Sequence, residues 1–115
     1  MRAGYDRAMV PKVTLGKHKV KGKLDAEIIR RVVRQHLNQI RYCYEKVLAQ
    51  NPKAGGKLTL TFVITPDGMV AQVKATGVAT DVETCVASRA MGWQFPKPKT
   101  GIVQVTYPMV FAPSS

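Results

Sequence analysis

Apolar and polar residues follow two periods along this chain, and the first half of the pattern predicts a helix and a hairpin. From about Asp25 to Gln50, apolar residues recur at three- and four-residue steps, which predicts a helix capped by Asp25. Residues 57–65 alternate with period two and are rich in β-branched residues, which predicts a strand. The Thr65-Pro66-Asp67-Gly68 sequence is typical of a turn, so Met69–Ala75 is expected to return as a second strand.

The second half of the pattern predicts one more helix and one more strand. Thr80 and Glu83 have the spacing of a capping box and open a helix that ends at about Gly92. The last alternating stretch, Ile102–Phe111, is expected to form a strand. At the other end, residues 1–17 have the character of a tail, and residues 18–22 are compatible with a short strand.

The order of these elements predicts an α+β fold of the form α-β-β-α-β. We expect two helices packed on one face of a three-stranded antiparallel sheet. The expected organisation is a basic flexible linker at 1–19, one domain at 20–112 and a short tail at 113–115. A three-stranded sheet has two edges, and an exposed edge can bind an extended peptide.

The net charge of +11 is concentrated near the start of the chain. The first 24 residues contain seven Lys or Arg residues and only one acid, Asp6. A basic leader of this kind is compatible with a solvated linker, and also with binding to nucleic acid, anionic lipid or an acidic partner. The sequence contains neither a stretch long enough to span a membrane nor a signal peptide. The chain is therefore expected to be cytoplasmic, or a fragment whose targeting segment lies upstream.

The sequence contains few residues of the kinds and spacings that catalysis or metal binding requires. The acids fall where caps and turns need them, and neither a nucleophile–base pair nor a phosphate-binding loop is present, so we predict a protein that is not an enzyme and has no cofactor. His36 and Cys43 are seven residues apart on one helix, about 10 Å along its axis, which is too far for one zinc ion. We therefore predict no metal site.

Three arginines, Arg31, Arg34 and Arg41, recur along the polar side of the first helix. They are compatible with an electrostatic patch that grips phosphates or an acidic partner, but the favoured interpretation is a solvated face partly paired with Glu27 and Glu45. Nucleic-acid modules usually add stacking aromatics on the sheet, whereas the pattern here assigns the sheet's aromatics to the core.

The two cysteines, Cys43 and Cys85, lie one on each predicted helix. Periodicity alone is equally compatible with two buried free thiols and with a disulfide. A bridge would close a loop of about 40 residues and contribute roughly 4 kcal/mol in the chain-entropy model.

Several short segments together resemble the AgmX/PglI C-terminal domain, which in turn is similar to the TonB C-terminal domain. The resemblance covers about residues 20–111. The segments that carry it, in order, are Leu24-Asp25, Ile28–Arg34, His36–Asn38, Arg41–Glu45, Thr61–Ile64, Pro66–Gly68, Cys85-Val86, Trp93–Pro96 and Val103–Pro108.

The resemblance implies a periplasmic module of an inner-membrane-anchored protein, associated with a proton-driven motor and with gliding motility. In that family Cys43 and Cys85 would be expected to pair. Partners would be outer-membrane or periplasmic proteins, with no nucleic acid and no insertion of this segment into a membrane. A partner peptide would add to the last strand, at Ile102, Val103, Gln104, Val105, Thr106 and Tyr107.

One residue departs from this expectation. Pro108 interrupts the predicted last strand and would confine pairing to about residues 101–107, or move it to another edge. The leading alternative function is a small basic nucleic-acid-binding domain, for which the cysteines would remain free.

Overall fold

The computed structural model describes residues 11–113 and confirms the α+β class. This part of the chain contains three helices and five strands. They are β1 (Lys12–Leu15), β2 (Lys19–Lys21), α1 (Ala26–Gln35), α2 (Leu37–Leu48), β3 (Gly56–Ile64), β4 (Val70–Thr76), α3 (Thr80–Ala90) and β5 (Val103–Ala112).

The five strands form one antiparallel sheet with β5 and β3 at its centre. All nine residues of β3 pair with β5, and β4 pairs with the other side of β3. On its remaining side β5 pairs with two separate strands, first with β2 and then with β1. The expected three-stranded sheet is therefore wrong in its number of strands.

Two short N-terminal strands account for that difference. β1 and β2 have four and three residues and contain three lysines, so they lack the apolar content by which strands are recognised in a sequence. β1 nevertheless places Val13 and Leu15 on the core side and β2 places Val20 there, and Val13 is buried. β1 and the first residue of β2 lie within the range 1–19 that was expected to be a linker. Residues 1–10 of that range and residues 114–115 of the expected C-terminal tail lie outside the described part of the chain.

The core lies between the helices and one face of the sheet. Along β3 and β5 every second side chain is buried, as the period of two predicted. Trp93, Phe62 and Phe95 form an aromatic cluster in this core, with Phe62 edge-on to Trp93 and stacked on Phe95. The opposite face of the sheet is formed by exposed and half-buried side chains, and we call it the open face.

The predicted first helix is divided into α1 and α2 at His36. Asp25 caps α1 as expected, because its carboxylate accepts a hydrogen bond of 2.8 Å from the Glu27 N–H. At His36 the backbone leaves helical geometry (φ −103°, ψ 12°), and its N–H donates to the Val33 carbonyl in a tighter, three-residue turn. The His36 imidazole stacks on the Trp93 indole at 5.1 Å between ring centroids, so the break brings the imidazole onto the core.

The start of α3 differs from the predicted capping box. The helix is capped by Ala79, which makes no side-chain cap bond, and Thr80 is its first residue. The Glu83 carboxylate instead accepts a hydrogen bond of 2.7 Å from the Gly77 N–H, before the helix begins. Gly77 and Val78 have positive φ values (128° and 68°) and form a tight turn just before the helix. This turn brings the Gly77 N–H to the Glu83 carboxylate.

The hairpin between β3 and β4 has the turn that the sequence predicts. The Gly68 N–H donates to the Thr65 carbonyl at 2.9 Å, and Gly68 has φ 87°. The Phe95 carbonyl lies so close to Gly68 that a β-carbon there would collide with it, which is a second reason for glycine at this position. The turn therefore joins the hairpin to the segment that follows α3.

Candidate functional site

The middle of the predicted partner-binding edge Ile102–Tyr107, residues 104–106, is paired on both of its sides. Ile102 precedes β5 and is exposed, whereas the other residues lie within the strand. Residues 104–106 pair with residues 61–63 of β3 on one side and with β2 on the other, in the register Val20 opposite Val105. The outer edge of β5 is thus occupied by the chain's own β2.

Pro108 does not interrupt β5, so the predicted break in the last strand is wrong. The strand continues to Ala112, and Pro108 pairs with Thr59 of β3. On the other side the Pro108 carbonyl accepts a hydrogen bond of 2.8 Å from the Gly16 N–H, just after β1 ends. The backbone N and carbonyl of one strand residue point to the same side of the strand. The N–H that Pro108 lacks would therefore face the connection between β1 and β2, where no strand pairs with β5.

That connection is held by His18, which the sequence analysis did not single out. The His18 imidazole stacks on the Tyr107 ring, and its Nε2–H donates to the Ala26 carbonyl at 2.8 Å. β2 is therefore tied both to β5 and to the beginning of α1. The available signal in the sequence was the alternation Lys19-Val20-Lys21, which is too short to separate from a solvated basic segment.

The side chain of Tyr107 is fully buried beneath β2 and α1, and its hydroxyl has no hydrogen-bond partner within residues 11–113. Burial raises the pKa of this phenol, while the nearby positive charges of Arg30 and Arg34 act in the opposite direction. Tyr44, the other fully buried tyrosine of the described chain, differs because its hydroxyl donates to the Ala54 carbonyl.

The second edge of the sheet is β4, and a bulge distorts it. Thr61 pairs with Lys74 and Val63 pairs with Ala71, so Gln72 and Val73 together face a single β3 residue. Gln72 has a left-handed backbone with φ 52°. Bulges of this kind twist an edge strand and reduce its tendency to pair with another chain.

The three arginines of the predicted electrostatic patch do not share one environment. Arg31 and Arg34 are exposed on α1, whereas Arg41 is half-buried on α2, beyond the break at His36. The Arg41 guanidinium donates a long hydrogen bond of 3.3 Å to Asn38, and its Nε is buried without a partner in the described structure. From the sequence, Glu27 is expected to pair with the predicted arginine patch. In the structure Glu27 forms its ion pair with a fourth arginine, Arg30.

Cys43 of α2 and Cys85 of α3 form a disulfide, with their Cα atoms 5.6 Å apart. Periodicity alone is compatible with free thiols or with a disulfide, and the structure contains the disulfide. Beside the bridge, the exposed ring of Tyr42 on α2 lies 5.7 Å from the Arg89 guanidinium on α3, so a cation–π contact joins the same two helices. The pair α2–α3 is thereby fixed covalently and by side-chain contact.

An open cleft of about 950 Å³ lies between α2 and α3 beside this disulfide. Trp93 lines it, and the indole Nε1–H donates to the Gln39 side-chain oxygen at 3.0 Å. His36 also lines the cleft, and partial burial lowers the pKa of its imidazole. At the base of the cleft the His36 ring stacks on the Trp93 indole, which is only 1% exposed. These two rings therefore pack against each other inside the protein.

The described residues contain no group of three or more His, Cys, Asp or Glu side chains that could hold a metal ion. His36 and Cys43 both line the cleft, but the sulfur of Cys43 is oxidised in the disulfide. None of the three helices found within residues 11–113 is long and apolar enough to cross a lipid bilayer.

Comparisons of this chain with protein-family models, with curated proteins and with solved structures find no match.

Proposed function

We propose that this domain is a protein-binding module that accepts an extended segment of a partner by β-strand addition at the outer edge of β5. The observation that carries the proposal is the pairing of this edge with β2, a strand of only three residues. An edge that pairs with one short antiparallel strand has the geometry to pair with another. By contrast, the β3–β5 ladder extends along all nine residues of β3.

The partner would take the place of β2 along residues 102–107. It would gain the main-chain hydrogen bonds that β2 now makes to Gln104 and Thr106, whose N–H and C=O groups point to the same side of β5 as the Pro108 carbonyl. Val20 is half-buried against the core opposite Val105, so an aliphatic side chain at the matching position of the partner would fill the same site. The mechanism predicts a preference for partners with alternating apolar and polar residues.

The β4 edge is the less suitable alternative. Its bulge at Gln72 breaks the regular spacing of backbone donors and acceptors that an added strand needs. β2, in contrast, forms a straight three-residue ladder and is flanked by Gly16 and Gly22, of which Gly22 has φ 139°. These glycines give the chain the freedom to leave the sheet edge without moving the core.

The wider setting is proposed from the resemblance and the disulfide together. We place the domain in the periplasm, as a TonB-like module of an inner-membrane-anchored protein linked to a proton-driven motor, in a gliding-motility or related envelope complex. The partner would be an outer-membrane or periplasmic protein, and no cofactor or catalysis is involved. Disulfides persist in oxidising compartments such as the periplasm, and Cys43–Cys85 fits that setting.

The proposal is tested by selecting a binding peptide from a library of unstructured peptides and titrating it into the ¹⁵N-labelled, oxidised domain. We expect the amide shifts to concentrate at residues 19–21 and 102–107, because β2 leaves as the peptide pairs. A peptide that shifts only helix residues, or only β4, would show that the β5 edge is not the binding site.

A covalent lock provides the matched control. In Lys19→Cys/Thr106→Cys, two exposed or half-buried residues that face each other across β2 and β5 are joined by a second disulfide. The locked domain should lose binding of the selected peptide. Lys12→Cys/Ala112→Cys joins β1 to β5 in the same way and should keep binding.

A further inference from the structure

Lysine is the only charged residue type in the five strands, and all five strand lysines lie on the open face. None of the strands contains Asp or Glu. The five side chains are exposed, and their strands are distributed across the whole sheet: Lys12 of β1, Lys19 and Lys21 of β2, Lys57 of β3 and Lys74 of β4.

The strand register places these lysines around a neutral, hydroxyl-bearing centre. One row across the sheet reads Lys19, Thr106, Thr61 and Lys74, with the two threonines on the central strands. The end lysines of this row are three strand spacings apart, about 14 Å. Lys57 continues the pattern in another row, opposite the exposed side chain of Val110.

The carboxylates of the described chain lie elsewhere. Four are in the helices, one caps α1 and one is in the hairpin turn: Glu27, Glu45, Asp81, Glu83, Asp25 and Asp67. The helices carry six Lys or Arg residues beside their four acids, so their surface is of mixed charge. The open face therefore carries five lysines and no carboxylate from the strands, and an anionic surface would be attracted to this face.

The residue types on the open face restrict the class of anion. Arginine, which recognises phosphate and base edges with a rigid fork, is absent from the described strands, and no aromatic side chain stands on this face to stack against bases or sugar rings. Lysine acts as a mobile point charge and suits a surface of many equivalent anionic groups. Lipid headgroups provide such a surface, and the open face extends over about 14 by 30 Å.

We infer that the open face docks on the surface of an anionic lipid bilayer. The five lysines contact the headgroups, while the helices, the disulfide and both sheet edges remain turned away from or beside the membrane. Each lysine near an anionic surface increases the affinity about fivefold, and this gain falls with added salt. The inference rests on the charge distribution of the undisplaced sheet. A partner strand that displaces β2 would take Lys19 and Lys21 from the open face and leave Lys12, Lys57 and Lys74.

The test is co-sedimentation of the oxidised chain with vesicles of phosphatidylcholine containing 30% phosphatidylglycerol. We expect binding at 50 mM NaCl, loss of most binding at 300 mM NaCl, and little binding to vesicles of phosphatidylcholine alone. Lys19→Gln/Lys21→Gln/Lys74→Gln should bind about 100-fold more weakly, because three contacts are removed. An absence of binding by the unmodified chain at low salt would overturn the inference.

A variant with the same change in net charge on the helical side is the matched control. Arg31→Gln/Arg34→Gln/Lys46→Gln removes three exposed cations from α1 and α2 and should bind nearly as well as the unmodified chain. An equal loss in both triple variants would mean that the total charge, and not the open face, determines binding. Tighter binding to duplex DNA or to polyglutamate than to the vesicles, with the same dependence on the open-face lysines, would assign the surface to another polyanion.

A second measurement needs no substitution. Amine acetylation of the unmodified chain, followed by mass spectrometry, reports which lysines the vesicles shield. We expect protection of Lys21, Lys57 and Lys74 in the presence of vesicles, and unchanged labelling of Lys46 on α2 and of Lys53 in the loop after it. Protection of the helical lysines instead would overturn the proposed orientation.

Discussion

The imidazole of His18 lies parallel to the buried ring of Tyr107, with ring centroids 4.6 Å apart and an angle of 3° between the planes. Through this contact and the hydrogen bond to Ala26, a segment with few apolar residues is attached to the core. The stability of β2 therefore depends on the residue that precedes it as well as on the three residues that form it.

We expect His18→Ala to loosen β2 with little effect on the rest of the domain. The substitution removes one hydrogen bond and one ring contact, each of about 1 kcal/mol. Amide hydrogen exchange at residues 19–21 should become at least tenfold faster, while exchange in β3 stays unchanged. Lys17→Ala, one residue earlier and exposed, is the control and should leave exchange in β2 as it is. Equal exchange rates in both variants would contradict the anchoring role.

The two buried tyrosines should respond in opposite ways to loss of their hydroxyls. Tyr44→Phe removes the hydrogen bond to Ala54 and leaves that carbonyl without its partner, so we expect a loss of about 1–2 kcal/mol in the free energy of unfolding. Tyr107→Phe removes a buried hydroxyl that has no partner in the described chain, while the ring still stacks on His18. Its free energy of unfolding should be unchanged or higher.

Urea denaturation of both variants and the unmodified domain measures this difference. A loss in Tyr107→Phe as large as that in Tyr44→Phe would show that the Tyr107 hydroxyl has a hydrogen-bond partner in solution, such as a buried water molecule.

Removal of the disulfide should cost roughly 3–4 kcal/mol of stability. Cys43→Ala/Cys85→Ala opens a covalent loop between residues 42 positions apart in the sequence, and the unfolded chain gains the corresponding freedom. Since small domains are stable by about 5–15 kcal/mol, this loss should lower the urea midpoint substantially. Reductant should have the same effect on the unmodified domain and none on the double variant. Intact mass after thiol labelling should show two added labels only after reduction.

Stability should fall on acidification through a contribution from His36. Partial burial lowers the pKa of this imidazole below its ordinary value of 6.5, so the unfolded chain takes up the proton first as the pH falls. The contribution is therefore fully present above pH 6.5 and is lost progressively below it. His36→Phe retains a ring against Trp93 but does not titrate, and it should flatten the dependence of the urea midpoint between pH 7 and pH 5.

An unchanged slope in His36→Phe would assign the acid sensitivity to other groups. His36→Gln, which removes both the ring and the titration, separates the two effects: it should be less stable than the phenylalanine variant at pH 7 and have an equally flat profile.

The regions that the sequence predicted correctly are those in which the period of the apolar residues is long enough to be unambiguous. The alternation over residues 57–65 and over Ile102–Phe111 identified both central strands and the face that each one buries. The turn before Met69 followed from local chemistry alone. The break at His36 was not predicted, because the apolar stripe continues across it. The break places the His36 imidazole against Trp93, a residue more than fifty positions away that the local pattern does not reveal.

The candidate site was predicted less completely for a similar reason. The residues of the β5 edge could be named from their pattern, but which strands lie beside that edge depends on long-range pairing. β2 has a single apolar residue, Val20, and its position is determined by Val105 and by His18 on Tyr107. The sequence predicts a break at Pro108, but the effect of this residue depends on which side of β5 its nitrogen faces. That side is fixed only once β1 and β2 are in place.

The Cys43–Cys85 bridge divides the sheet into two topologically different parts. β3 and β4 belong to a closed covalent ring, while β1, β2 and β5 belong to the two open ends of the chain. Among the described residues, the two parts are joined by one strand pairing, that of β3 with β5. A single peptide-bond cleavage within the ring, for example at the exposed Pro66-Asp67 turn, would leave one covalently connected molecule. Loss of the hydrogen bonds between β3 and β5 would separate the two halves of the sheet without breaking any covalent bond.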